Sequence, residues 1–150
     1  MGELPLLGVV LGLVGLVPLV FCGIESMTSA SLWALPALIA YAAVILSFVG
    51  AVHWGLALAP GAPRSAARGR LVLGAIPALL GWISLLLAHW AGLLVLIGGF
   101  IASMAVEALT RHGAGLPLGY LWLRFGLSVV TVAILVTVLV LRLIGATITL

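Results

Sequence analysis

The chain has 150 residues, of which 65% are hydrophobic and 6% are charged, and its mean hydropathy is +1.47. A soluble domain carries roughly 25% charged residues because its surface must be polar, so this composition excludes a soluble domain and indicates a protein surrounded largely by lipid. The formal net charge of +3 arises from a few dispersed arginines, which excludes a nucleic-acid binder. A single cysteine excludes a disulfide framework.

Five apolar runs follow one another along the chain, and runs of about 18 residues or more predict membrane-spanning helices. Each run is too long for a barrel strand, and none alternates polar with apolar residues. The first run lacks the basic segment of a signal peptide, so we expect it to remain as a span. The predicted spans are residues 4–23, 32–58, 71–88, 91–108 and 120–144. We therefore expect one all-α domain over residues 1–150, a compact bundle of five transmembrane helices in which the third and fourth form a tight hairpin.

The arginines lie mainly on one side of the predicted spans. With five spans, the N-terminus and the loops after the second and fourth spans share one face of the membrane. Five of the six arginines belong to that face, and the rule that basic residues stay on the cytoplasmic side predicts a cytoplasmic N-terminus and an external C-terminus. The five are Arg64, Arg68, Arg70, Arg111 and Arg124, and the sixth is Arg142.

Small residues occupy every fourth position of the second span. Helices in lipid associate through close backbone approach, so such a stripe predicts a helix-packing face. The fifth span is bulky and β-branched from Val129 to Leu141, which favours a helix that faces lipid. The stripe consists of Ala43, Ser47, Ala51, Gly55 and Ala59.

Ionisable residues within spans are costly and indicate function, and three of them lie near the inner boundary of the membrane. His53 lies near the end of the second span, Glu107 ends the fourth, and Arg124 lies one turn into the fifth. The topology places them at similar depth near the inner boundary, as a polar pocket, a proton-accepting site or a headgroup site. Structural alternatives are an Arg124 that extends to the headgroups, a local Glu107–Arg111 pair and a neutral His53 bonded to one carbonyl.

Other candidate sites are few. On the outer face, Glu25 and Arg142 are the only charges, and we expect them to pair as a structural contact. The histidines lack metal-ligand spacing, and Cys22 has no cysteine partner. No complete catalytic arrangement occurs, so we expect no catalytic residues, no cofactor, no metal and no enzymatic activity.

One segment of the second span resembles a known family. The stretch from Tyr41 to Gly55, with its Ser-Phe-x-Gly-x-x-His-Trp-Gly core, resembles the signature of the transmembrane protein 69 family of small multi-span proteins in bacteria and mitochondria. Shorter stretches at 11–18, 76–82 and 120–124 resemble the same family in the same order. The signature residues are Tyr41, Ser47, Phe48, Gly50, His53, Trp54 and Gly55.

The resemblance implies a location in the bacterial cytoplasmic (inner) membrane, or in the mitochondrial inner membrane of a eukaryote. It implies no biochemical activity, because none is established for the family. Two functions remain open at this point. The first is a non-enzymatic accessory, scaffold or assembly component that contacts the lipid bilayer and other membrane subunits or a second copy. The alternative is a small-solute or proton-coupled transporter that uses His53, Glu107 and Arg124.

Overall fold

The computed structural model describes residues 6–28, 31–60, 64–110 and 118–148. Within these residues it contains five α-helices and no strand, and all five are long and apolar enough to cross a membrane. This confirms the prediction of an all-α, five-span membrane protein. The helices are α1 (Leu6–Thr28), α2 (Ala34–Leu58), α3 (Arg64–Leu86), α4 (His89–Thr110) and α5 (Leu118–Ile148).

Several helices extend beyond the predicted spans. The α1 helix continues to Thr28, α3 already begins at Arg64, and α5 continues to Ile148. Hydropathy marks only the part of a helix that is immersed in hydrocarbon, whereas the backbone hydrogen bonds continue into the headgroup region. Arginine and alanine are good helix formers, so the basic segment at the start of α3 is helical as well.

Prolines set both ends of α2. The first backbone bond of the helix runs from the Ala37 N–H to the Trp33 carbonyl at 3.0 Å, which leaves Pro36 in the first turn, where a missing N–H is tolerated. The helix ends at Leu58, and Ala59 has an extended backbone with ψ of 143°. The ring of Pro60 disfavours helical geometry at the preceding residue, so the chain leaves the helix there.

The third and fourth helices form the predicted tight hairpin. Only residues 87 and 88 separate α3 from α4. The first turn of α4 packs directly on the last turns of α3, because a Cβ atom at Gly92 would lie 2.5 Å from the Ser84 carbonyl oxygen. The absence of a side chain at Gly92 therefore lets the two helices approach at their junction.

The second helix is the centre of the bundle. It packs against α1, α3 and α4, while α5 packs against α1 and α4. The apolar core fills the half of the bundle that contains the end of α1 and the start of α2. The core includes Leu19, Leu35, Leu38, Leu46, Leu96, Phe100, Leu135 and Val138. The polar residues near the ends of α2 and α4 lie in the other half, which we call the arginine-rich end because it holds the basic start of α3.

The contact between α2 and α3 uses a different row of small residues from the predicted stripe. A Cβ atom at Gly50 would lie 2.5 Å from the Gly74 carbonyl oxygen and 3.0 Å from the ring of Pro77. Further along, Gly81 approaches the backbone of Ala43 in the same way. The two helices therefore touch through backbone at Ala43 and Gly50, seven residues apart.

The predicted stripe does not serve as the internal contact over its whole length. Ala43 is buried and Ser47 is half-buried, but Ala51, Gly55 and Ala59 are exposed. Four residues turn an α-helix by about 40° more than one full revolution, whereas seven residues fall short of two revolutions by only about 20°. A stripe at every fourth position therefore rotates away from α3, and the seven-residue row stays in contact.

The fifth helix is not purely lipid-facing, contrary to the expectation from its bulky side chains. One face is buried along most of its length, beginning with polar residues and ending with apolar ones. The remaining faces carry the exposed apolar side chains that contact lipid. The buried positions are Arg124, Ser128, Thr131, Leu135, Val138 and Leu139.

Candidate functional site

An ion pair lies inside the arginine-rich half of the bundle. The Nη2 atom of Arg124 on α5 contacts the Oε1 atom of Glu107 on α4, and the two side chains are 8% and 18% exposed. Arg124 Nη1 also donates a 3.1 Å hydrogen bond to the hydroxyl of Tyr120, one turn earlier on α5. Together with the neighbouring His53, these residues form what we call the polar cluster.

Arg124 also binds the backbone of the central helix. Its Nη2 atom donates to the carbonyl oxygen of Val49 on α2. In an α-helix the carbonyl of residue 49 accepts the N–H of residue 53, so the guanidinium sits on the hydrogen-bonded turn that carries His53. The carbonyl oxygen has two lone pairs and can accept both donors. Arg124 thereby links α2, α4 and α5.

The three charged or titratable side chains reach the same depth from different helix ends. His53 lies five residues before the last residue of α2, and Glu107 lies three residues before the last residue of α4. Arg124 lies six residues after the first residue of α5. At about 1.5 Å per residue, these positions are about 5–9 Å from the respective helix ends. The antiparallel order of the helices therefore brings them together, as the predicted topology requires.

His53 is almost enclosed. Its relative exposure is 8%, and it lies within electrostatic range of both Arg124 and Arg70. The imidazole is near the backbone of Gly50, one turn earlier, yet its Nδ1 atom has no partner in hydrogen-bond geometry. The imidazole therefore retains the capacity to donate or accept at a buried position.

The geometry decides the alternative for Arg124. Arg124 is directed into the bundle and is 7% exposed, so it does not extend to the headgroups. Glu107 pairs across helices with Arg124, while Arg111 lies outside the described residues, as do Glu3 and His112. The cluster joins one cation, one carboxylate and one imidazole. The carboxylate and the imidazole can bind and release protons, and all three groups can bind a small polar ligand.

Several signature residues hold α2 against its neighbours. The hydroxyl of Tyr41 donates a 2.7 Å hydrogen bond to the Gly15 carbonyl of α1. Trp54 Nε1 donates a 3.0 Å bond to the Leu71 carbonyl of α3, and its ring lies over Gly74, where a Cβ atom would collide with it. These contacts use the polar atoms of the two aromatic side chains and the absence of a side chain at Gly74.

The remaining signature residues differ in their surroundings. Ser47 donates a 2.8 Å bond to the Ala43 carbonyl of its own helix, a common way to satisfy a hydroxyl in lipid. Phe48 is 73% exposed, and nothing lies within 4 Å of a Cβ atom built at Gly55. Phe48 and Gly55 therefore form part of the outer surface of α2, not of its internal contacts.

Arg142 links α1 and α5 near their C-terminal ends, on the side of the bundle away from the arginine-rich end. Its Nη2 atom donates a 3.0 Å bond to the carbonyl oxygen of Ser26, which lies in the last turn of α1, where carbonyls have no intrahelical partner. Arg142 thus caps α1 and also places a positive charge at the negative end of the helix dipole. Glu25 is adjacent to this carbonyl, and its pairing with Arg142 stays a prediction.

Sequence reasoning missed some members of the site. The Val49 carbonyl is a backbone group that every residue type supplies, so no residue pattern marks it. Tyr120 was not identified as a site residue from the sequence, although its contact with Arg124 follows from their four-residue spacing on α5. Arg70 donates a 3.3 Å bond to the Leu56 carbonyl of α2, which ties the start of α3 to the end of α2.

Metal-ligating residues do not gather in the part of the chain that the structure describes. No group of three or more histidine, cysteine, aspartate or glutamate side chains there could hold a metal ion. Cys22 is a buried free cysteine in α1.

Comparisons with known proteins agree with this architecture. The chain is 36% identical over 97 residues to transmembrane protein 69 of Xenopus tropicalis, which covers 61% of the chain and 38% of the relative. The chain thus spans well under half of that relative's length. No solved structure matches it. A family model described as "Protein of unknown function (DUF3429)" matches residues 4–140. This match confirms the resemblance seen in the signature segment, and the chain belongs to the DUF3429 family.

Proposed function

We propose that this integral membrane protein is a non-enzymatic accessory, scaffold or assembly component of a membrane complex. The observation that supports this role is that Arg124 binds partners within its own chain. Its guanidinium binds Glu107, the Val49 carbonyl and the Tyr120 hydroxyl. A buried arginine with three protein partners on three helices fixes the bundle in one arrangement, as a scaffold requires.

The outer face of α2 supports the same role. Ala51 and Gly55 are exposed and small, and Gly55 has open space around it. Smooth surfaces of this kind allow the backbone of a helix from another subunit, or from a second copy, to approach closely in lipid.

Site-specific photocrosslinking in native membranes tests the accessory role. A photoreactive residue at Gly55 should crosslink to one defined protein, whereas the same residue at Leu13, which is exposed on α1, should react mainly with lipid. The crosslinked protein should co-purify with the unmodified chain in mild detergent at native expression, and Gly55→Leu should abolish this co-purification. A lone monomer without crosslinks from either position would overturn the proposal.

The proposed orientation has the N-terminus in the cytoplasm and the C-terminus outside, in the bacterial cytoplasmic membrane or in the equivalent position of the mitochondrial inner membrane. The arginine bias supports it. In a Cys22→Ala background, Leu32→Cys should react with an impermeant maleimide on intact spheroplasts. Gly69→Cys, at the arginine-rich end, should react only after permeabilisation. The reverse pattern would overturn the orientation.

A second function, proton-coupled or small-solute transport, is favoured by one observation, the convergence of His53, Glu107 and Arg124. Solid-supported-membrane recordings with amino acids, carboxylic acids and sugars under a proton gradient test it. A current that disappears in His53→Ala would support transport. Currents equal to those of protein-free membranes for every class of solute would count against it.

A further inference from the structure

The polar cluster contains buried side-chain atoms that have no hydrogen-bond partner. In the described part of the chain, the buried side-chain nitrogen and oxygen atoms that lack a hydrogen bond are His53 Nδ1, Glu107 Oε1 and Arg124 Nε. Glu107 Oε1 still has the guanidinium beside it as an ion-pair partner. Arg124 Nε–H has no partner there, and His53 Nδ1 has only the nearby backbone of Gly50. A buried polar atom left unsatisfied costs about 1–3 kcal/mol, so the occurrence of these two atoms in one cluster points to a ligand that supplies the missing bonds.

The chemistry of these atoms defines that ligand. Arg124 Nε–H is a donor, the Glu107 carboxylate is an acceptor, and the His53 imidazole can be either. Water is the small molecule that both donates and accepts, and buried water typically satisfies two to four such groups. The same cluster contains two side chains, a carboxylate and an imidazole, that take up protons.

We propose that the polar cluster is a hydrated proton-binding site, in which Glu107 and His53, both under the influence of Arg124, together take up one exchangeable proton. With Glu107 ionised, Arg124 charged and His53 neutral, the cluster has no net charge. One added proton leaves a single positive charge, whereas a second would place two in a medium where each is costly. Glu107 contacts Arg124, and His53 lies within electrostatic range of the same guanidinium, so a proton on one of the two residues disfavours a second proton on the other.

Other charged or titratable groups surround the pair from the neighbouring helices. Arg124 and Tyr120 face it from α5, and Arg70 acts on His53 from α3. When the proton resides on Glu107, the ion pair with Arg124 weakens, and the arginine keeps its bonds to the Val49 carbonyl and the Tyr120 hydroxyl. Proton occupancy therefore couples to the contact between α4 and α5.

The arginine-rich end provides the route for the proton. Tyr120 is half-buried and lies one turn closer to that end than Arg124. Towards the opposite end, the bundle is closed by fully buried apolar side chains, including Leu38, Leu96 and Leu135. The site is thus reached from one side of the membrane, whether the protein acts as an accessory subunit or as a carrier.

Infrared titration of the whole protein in lipid bilayers tests the proposal without any partner or solute. Between about pH 9 and pH 4, the wild type should gain a carboxylic acid C=O band that moves to lower frequency in deuterium oxide. Glu107→Gln should lose this band. Glu25→Gln, which removes a carboxylate at the other end of the bundle, should keep it. In His53→Gln the midpoint should move by about one pH unit.

A purely structural ion pair gives different results. Glu107 would stay ionised, and the pH-dependent changes in the spectra of the wild type and of Glu107→Gln would coincide throughout the titration, which overturns the proposal. A band that does not move in deuterium oxide, or an unchanged midpoint in His53→Gln, overturns it as well. If Glu107→Gln does not fold, Glu107→Asp replaces it, and the band should change frequency because the carboxyl group is attached to a shorter side chain. None of these results depends on whether Gly55 crosslinks to another protein.

Discussion

Arg124 of α5 and Glu107 of α4 form an ion pair inside a membrane-spanning bundle, with 8% and 18% of their side chains exposed. Neither residue is near the other in sequence, and Arg124 also reaches the Val49 carbonyl of α2. The pair neutralises two charges where lipid would otherwise surround them, and it connects three of the five helices. Its stability is therefore the first property to measure.

Removal of one partner of this pair should lower the free energy of unfolding more than removal of both partners. Arg124→Leu leaves the Glu107 carboxylate buried without a counterion, and such losses cost about 3–5 kcal/mol. The double variant Arg124→Leu, Glu107→Leu buries no charge and should recover most of this loss. The measurement is the free energy of unfolding in mixed micelles. Arg68→Leu, at an exposed position, is the control, and a double variant no more stable than Arg124→Leu would contradict the prediction.

Two glycines of α2 should respond differently to the same substitution. At Gly50 a methyl group would lie 2.5 Å from the Gly74 carbonyl oxygen, whereas Gly55 has open space. Gly50→Ala should therefore force α3 away and cost about 1–3 kcal/mol, as overpacking does. Gly55→Ala should change the unfolding free energy by less than about 0.5 kcal/mol. Equal effects in thermal unfolding of the two variants would show that α2 and α3 do not meet at Gly50.

The contact between α1 and α2 depends on one hydroxyl. Tyr41→Phe keeps the ring but removes the 2.7 Å bond to the Gly15 carbonyl. Hydrogen bonds between helices in membranes contribute about 0.6 kcal/mol on average, so we expect a loss of that order in the unfolding free energy. Phe48→Leu, on the exposed surface of the same helix, should have no measurable effect. If Tyr41→Phe leaves the unfolding free energy unchanged, the hydroxyl bond does not stabilise the bundle.

Arg142 should slow amide hydrogen exchange in the last turn of α1. Its bond to the Ser26 carbonyl satisfies an acceptor that the helix end leaves free. In Arg142→Leu, backbone amides near the end of α1 should exchange with deuterium faster, while the central turns of the helix keep their rates. Arg142→Lys retains a donor and should show a smaller increase. Unchanged exchange in Arg142→Leu would mean that other contacts alone hold this turn.

The polar cluster shows which parts of the site a residue pattern can predict and which it cannot. His53, Glu107 and Arg124 were identified from the sequence because ionisable groups in apolar runs are easily seen and their positions along the spans give their depth. The partner that Arg124 takes could not be predicted in the same way. The Glu107–Arg111 alternative has an equally good four-residue spacing, and the Val49 carbonyl carries no residue-type signal.

The sequence by itself determined the membrane class, the five helices and the depth of the polar residues, because hydropathy is a property of contiguous residues and needs no knowledge of neighbours. Only the tertiary structure decided which faces of the helices meet. The rotation of α2 selects Gly50 over Gly55 for the contact with α3, and the packing of α4 against α5 directs Arg124 to Glu107. These choices depend on the fit between surfaces that are distant in the chain, and a local pattern does not encode that fit.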